Sequence, residues 1–200
     1  MEFNLSFLVA LAWETVQNPR DGAERVLGLG IPSQALLPSA TLVVVLTALT
    51  VAAHSLLQPP SPEAIEAGIV LTPFMLAGLV GANLIVVAGL IQLSGKILGG
   101  EGTFPEAFLL VTWWLFIQLC LQVVLLPVAI AVPFLSGLLE IGVLVLTIWL
   151  LFAFTAVLHR FKSIGQAAIS IVIGFLGLAF ATGMLLAIMG ISFEGVATGA

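Results

Sequence analysis

Few side chains in this 200-residue sequence could do chemistry, and those few are polar groups set inside apolar runs. Glu140 is the one acidic residue within such a run, and Asn83, Gln118 and Gln122 are amides in similar surroundings. A carboxylate in hydrocarbon is costly unless it is paired or hydrated. Glu140 therefore reads either as a group reaching interface water or as a proton or cation site. No intramembrane base stands out as its partner, and a proton relay needs more titratable groups than these runs supply. Gln118 and Gln122 lie one helical turn apart and share a face. Together with Asn83 they suit hydrogen bonding across a helix interface, or a polar conduit for lipid headgroups or a small solute.

Other chemistries find no footing. There is no P-loop, nucleotide fingerprint, G-x-S-x-G elbow or HExxH, so catalysis and bound cofactors are not expected. Ser163 near His159 lacks a carboxylate partner and reads as a hydrophilic turn. The single cysteine, Cys120, has no partner for an intramolecular disulfide. His54 and His159 are far apart and belong to no Cys/His cluster, so no metal is expected. Five scattered basic residues and a net charge of −5 exclude a nucleic-acid surface.

The elements that must position these groups follow from composition. Apolar residues make up 61% and charged residues 8% of the chain, against about 25% charged in an ordinary soluble domain. A chain of this length has too little interior to hide so much apolar surface, and the lipid bilayer is its natural solvent. About 20 apolar residues carry a helix across a bilayer core. Five stretches satisfy that: Leu36–Leu57, Ala67–Leu93, Ala107–Pro127, Gly137–Leu158 and Gln166–Gly190. Pro59, Pro60 and Pro62, then Gly99, Gly100 and Gly102, then Pro127 and Pro133 separate the first four, and a short polar turn from His159 to Ser163 separates the last two. The expected fold is an all-α integral membrane protein, a five-helix transmembrane bundle over residues 31–200 preceded by interfacial helices over residues 1–30.

Orientation follows from the basic residues. Arg20 and Arg25 precede the first span, Lys96 lies between the second and third, and Arg160 and Lys162 lie between the fourth and fifth. The other connections carry no base, so every base falls on one side. That predicts a cytoplasmic N-terminus and a periplasmic C-terminus, and the short connections suit a bacterial inner membrane. Residues 1–30 lack the basic start and cleavage site of a signal peptide. Leu5, Leu8, Val9, Ala12 and Val16 share one helical face, and Asn18, Pro19 and Asp21 suit the start of a second short helix ending at Gly28 or Gly30. These two helices are expected on the cytoplasmic membrane surface or packed against the bundle. Small residues at four-residue spacing, Gly78 with Ala82, Ala77 with Gly81, and Gly177 with Ala181, suit close helix packing within the monomer or between chains. Trp113 and Trp114 read as interface anchors, and Trp149 as packing.

Three segments carry a family resemblance: Asn18-Pro19-Arg20 with Val26-Leu27-Gly28-Leu29, the glycine-rich loop Leu98-Gly99-Gly100-Glu101-Gly102-Thr103-Phe104, and the close Leu158-His159-Arg160-Phe161-Lys162-Ser163. In these the chain resembles a small bacterial member of the Yip (Ypt-interacting protein) domain family, from about Thr15 to Met189. The resemblance implies five spans with the N-terminus inside. Eukaryotic members of the family resemble trafficking factors that bind small GTPases through a longer N-terminal region. This chain lacks their aspartate-leucine-tyrosine-glycine-proline motif and has no tyrosine, so GTPase binding is not carried over. The expected function is that of a non-enzymatic membrane organiser or accessory subunit, acting by helix packing against a membrane-protein partner or a second copy. The alternative is lipid, small-solute or proton transport along Asn83, Gln118, Gln122 and Glu140.

Overall fold

The computed structural model describes residues 4–57 and 72–188, and every regular element among them is a helix. They are α1 (Leu5–Gln17), α2 (Pro19–Gly28), α3 (Ser33–Leu57), α4 (Pro73–Ile97), α5 (Phe104–Ala131), α6 (Pro133–Leu158) and α7 (Ile164–Ile188). The connection Gln58–Glu66, residues 67–71 of the expected second span, and Met189, Gly190 and the tail beyond lie outside the described residues. Among the described residues four helices are long and apolar enough to cross a membrane: Ser33–Leu56, Pro73–Ile97, Phe104–Ala131 and Gly137–Leu158. Ile164–Phe180 and Leu5–Gln17 are shorter apolar helices.

Local chemistry sets the helix starts. The Asn4 side chain accepts the Phe7 N–H at 2.8 Å, and Thr72 accepts the Met75 N–H at 3.2 Å with Pro73 following in the first turn. At α5 the Glu106 carboxylate accepts the Thr103 N–H at 2.8 Å and its hydroxyl at 2.6 Å, the return half of a capping box. Asn18 precedes Pro19 at α2 but makes no side-chain capping bond. Pro127 does not end the third long helix as expected; α5 continues to Ala131 and the break comes at Val132 before Pro133. A proline removes one ladder bond. Pro127 lies in the last turn and a half of a 28-residue helix, where that loss is local.

α5 is the central helix. Its buried residues Leu110, Val111, Thr112 and Trp113 are consecutive, so it is covered all round rather than along one stripe. α3, α4 and α6 pack on it, α7 packs against α4 and α6, and α2 covers the end of α6 and touches α5. The outward faces carry exposed Leu, Ile, Val and Phe along every long helix, as a lipid-facing surface does. α2 buries Gly22 against Thr15 of α1 and buries Ala23 and Val26 as it packs on α6 and α5, so the N-terminal pair is docked on the bundle. α1 divides its apolar residues: Leu11 and Ala12 are buried, whereas Leu5, Val9 and Trp13 face outward.

Candidate functional site

The basic residues between the long helices gather near one end of the bundle, where the chain reverses twice. α4 closes with Gly99 in the left-handed region (φ 80°) and the Gly100 N–H bonded to the Gly95 carbonyl at 2.8 Å. α6 closes the same way, with Arg160 at φ 55° and the Phe161 N–H on the Ala156 carbonyl at 2.8 Å. These two closures meet at His159, which is only 2% exposed. The Gly102 N–H donates to Nδ1 at 3.2 Å, which leaves the proton on Nε2, and that N–H donates to the Ile91 carbonyl at 3.0 Å. Phe161 stacks on the ring with centroids 5.3 Å apart. Desolvation holds the imidazole below its usual range, Lys96 adds to that, and the Ile91 carbonyl and the Glu106 carboxylate oppose it.

Glycine is required around this ring by space. A methyl on Gly95 would stand 2.0 Å from Nε2, one on Gly100 2.3 Å from Nδ1, and one on Gly102 2.6 Å from Leu158 Cγ. The glycine-rich loop and the His159 turn, 57 residues apart, thus form one latch joining α4, α5 and α6. Arg160 adds an exposed ion pair to Glu101, which contributes little on its own. Next to the latch, the buried hydroxyls of Ser94 and Ser170 meet at 3.1 Å, and α7 approaches α4 closely enough that a methyl on Gly174 would stand 3.2 Å from Ser94 Oγ.

The tryptophans differ from the expected interface anchors. Trp113 is buried and its indole N–H donates to Thr15 Oγ1 at 3.2 Å, tying α1 to α5. Trp114 is half-buried and donates to the Thr147 carbonyl at 3.0 Å, tying α5 to α6. A buried indole needs such a partner, and these two find it inside the protein rather than at a headgroup. Trp149, expected to pack, is 47% exposed on α6.

The polar residues singled out in the sequence line two adjoining cavities. Asn83, Gln118 and Gln122 share one of about 470 Å³ lined by α3, α4 and α5 and open at the exposed Asn83. Gln122 and Val51 also line a second, of about 290 Å³, where Thr50, His54 and Glu140 stand. This second cavity lies between α3 and α6, which both pack on α5 but scarcely touch each other. Toward the basic end, Leu110, Val111, Trp114, Leu151 and Phe154 close together around a gap of only about 10 Å³. The polar lining therefore reaches mid-bundle from the opposite end and stops at an apolar plug. His54 is the residue that sequence reasoning missed: it lies one turn before the end of α3, and only folding brings it to the cavity of Glu140.

The small residues lie elsewhere. A methyl on Gly78 or Gly177 would meet nothing within 4 Å, and one on Gly81 would make an ordinary 3.8 Å contact with Val44. Ala82 is exposed, and the side chain of Ala181 lies outside the described residues. Among the described residues no group of three or more His, Cys, Asp or Glu could hold a metal ion.

Long apolar helices that carry few polar groups and expose Leu, Ile, Val and Phe outward define a multi-pass integral membrane protein. The Yip1 domain family model matches residues 13–187, and the chain belongs to that family. The match includes all three segments that carried the resemblance. No curated protein and no solved structure matches the chain.

Proposed function

We propose that this protein is a non-enzymatic organiser or accessory subunit of a membrane-protein complex, acting by helix packing in a bacterial inner membrane. In this reading the chain crosses five times, with α7 as the fifth span, its N-terminus cytoplasmic and its C-terminus periplasmic. The observation that carries it is the outward small-residue surface: among the described residues Gly78 and Gly177 meet no neighbour and Ala82 is exposed. Glycine in a helix interior costs about 1 kcal/mol relative to alanine, so glycines facing open space need another reason to be there. In lipid, helix association comes from close backbone approach at such surfaces. The partner is another membrane protein or a second copy of this chain.

Mild-detergent extraction from native membranes, a native gel and mass spectrometry of co-migrating chains test this reading. A stoichiometric partner or a defined homo-oligomer is expected, and a lone monomer in native membranes would refute it.

A second reading is favoured by the two cavities that share Gln122: passage of a lipid headgroup, small solute or proton along Asn83, Gln118, Gln122 and Glu140. Liposomes containing the protein would then move lipid or ions faster than protein-free liposomes, and equal rates would remove it.

A further inference from the structure

From the cavity between α3 and α6 we infer that this protein holds a phospholipid with a primary ammonium headgroup, seated on Glu140, Gln122 and Thr50 beside His54. The site stands apart from the helix-packing reading, and it supplies the transport reading with a substrate class. Glu140 lies three residues inside the apolar span that begins at Gly137, roughly 5 Å along the helix at about 1.5 Å per residue, and is exposed. Among the described residues its carboxylate has no hydrogen-bond or ion-pair partner. An unpaired carboxylate just inside the apolar span attracts a cation, and no Lys or Arg lines the cavity.

The rest of the lining identifies the cation. An ammonium has three N–H donors. The Glu140 carboxylate, the Gln122 carbonyl and the Thr50 hydroxyl oxygen are three acceptors on three different helices, α6, α5 and α3, and the His54 ring stands beside them. Thr50 already donates its hydroxyl proton to the Leu46 carbonyl at 2.9 Å, so toward the cavity it offers only lone pairs. Farther along the α6 face of Glu140 and Val143, outside the cavity lining, the Thr147 hydroxyl is buried with no hydrogen-bond partner among the described residues. A trimethylammonium cannot donate to these acceptors, and a glycerol headgroup brings no positive charge.

The apolar walls and the opening identify the carrier. Val51, Leu125, Leu126, Ala129 and Val143 make up most of the remaining lining. α3 and α6 scarcely touch, and Glu140 is exposed at the gap between them, beside lipid-facing Leu139 and Ile141. A soluble amine has no need of a hydrocarbon-facing slot. A lipid entering from the leaflet opposite the basic end would place its ammonium on Glu140 with its acyl chains still in the bilayer.

Native mass spectrometry of the full-length protein in dodecyl maltoside, with added dioleoyl-phosphatidylethanolamine, -phosphatidylcholine or -phosphatidylglycerol, tests the inference. Phosphatidylethanolamine is expected to be retained in preference to the other two. E140Q removes the charge and V143F fills the cavity without touching it, and each is expected to lower that retention at least about tenfold, the worth of one charge-assisted hydrogen bond. Both variants must keep the parent melting transition, which separates loss of the site from loss of the fold. Equal retention of the three lipids, or unchanged retention in either variant, overturns the inference. Displacement of the lipid by free ethanolamine at equal concentration overturns the lipid assignment in favour of a soluble amine. These readouts need neither transport nor a protein partner, so their failure is distinct from the failure of either proposed function.

Discussion

Replacing Gly95 by alanine puts a methyl 2.0 Å from His159 Nε2, and the imidazole must leave its place. The ring then gives up the bond from the Gly102 N–H and the bond to the Ile91 carbonyl, and a buried N–H left unpaired costs about 1–3 kcal/mol. With the lost packing of a side chain only 2% exposed, we expect a total of about 3 kcal/mol. Alanine returns up to about 1 kcal/mol of helix propensity, so the steric term wins by about 2 kcal/mol. For a chain of this size each kcal/mol moves Tm by about 2–4 °C. G95A should therefore lower Tm by about 4–8 °C, and H159A by about 6–12 °C. The double variant G95A/H159A is the sharper test, because the new methyl occupies space the imidazole has vacated. It should be no less stable than H159A alone, a coupling of about 2 kcal/mol or more. Thermal unfolding of the full chain in mild detergent, followed by tryptophan fluorescence, reads all three. A neutral or stabilised G95A, or additivity of the two changes within about 0.5 kcal/mol, would refute the latch.

Acid should loosen the same latch, because burial disfavours the charged imidazole. Above about pH 6.5 the ring is neutral both folded and unfolded, and stability does not depend on it. As pH falls below that value the unfolded chain takes the proton first, so stability drops, and H159A should flatten that part of the Tm-against-pH curve. T15V leaves the Trp113 indole N–H without its acceptor at about 1–3 kcal/mol, and hydrogen exchange over α1 should quicken while α5 keeps its protection. G78L and G177L meet open space in the monomer, so Tm in detergent should change little. In native membranes the same changes should remove the co-migrating partner, and an unchanged complex would argue against helix packing through these faces.

Much of the helical arrangement could be read from hydropathy because lipid enforces it: a backbone polar group in hydrocarbon must be satisfied within its own helix. The expected apolar helices agree with the observed ones to within a few residues where they are described, apart from the continuation through Pro127, but among the described residues four rather than five are long and apolar enough to cross a membrane. What could not be read were the meetings between helices. Trp113 and Trp114 have the composition of interface anchors, and only the approach of Thr15 and of the Thr147 carbonyl gives their N–H groups interior partners. Gly95 falls just past the expected span end at Leu93, and Gly100 and Gly102 read as loop glycines, because the ring that needs their missing Cβ atoms comes from far along the chain. His54 was passed over for the same reason: sequence distance from Glu140 hides a shared cavity.

The most direct test of the membrane architecture is the sidedness of its ends, read by cysteine accessibility in a C120A background. S163C, in the turn between α6 and α7, and G199C, in the C-terminal tail, would each be exposed to a membrane-impermeant maleimide in intact cells. Five crossings with the basic residues inside predict that S163C is protected until the cells are lysed, while G199C is labelled at once. Protection of both, or labelling of S163C in intact cells, would contradict the five-span account.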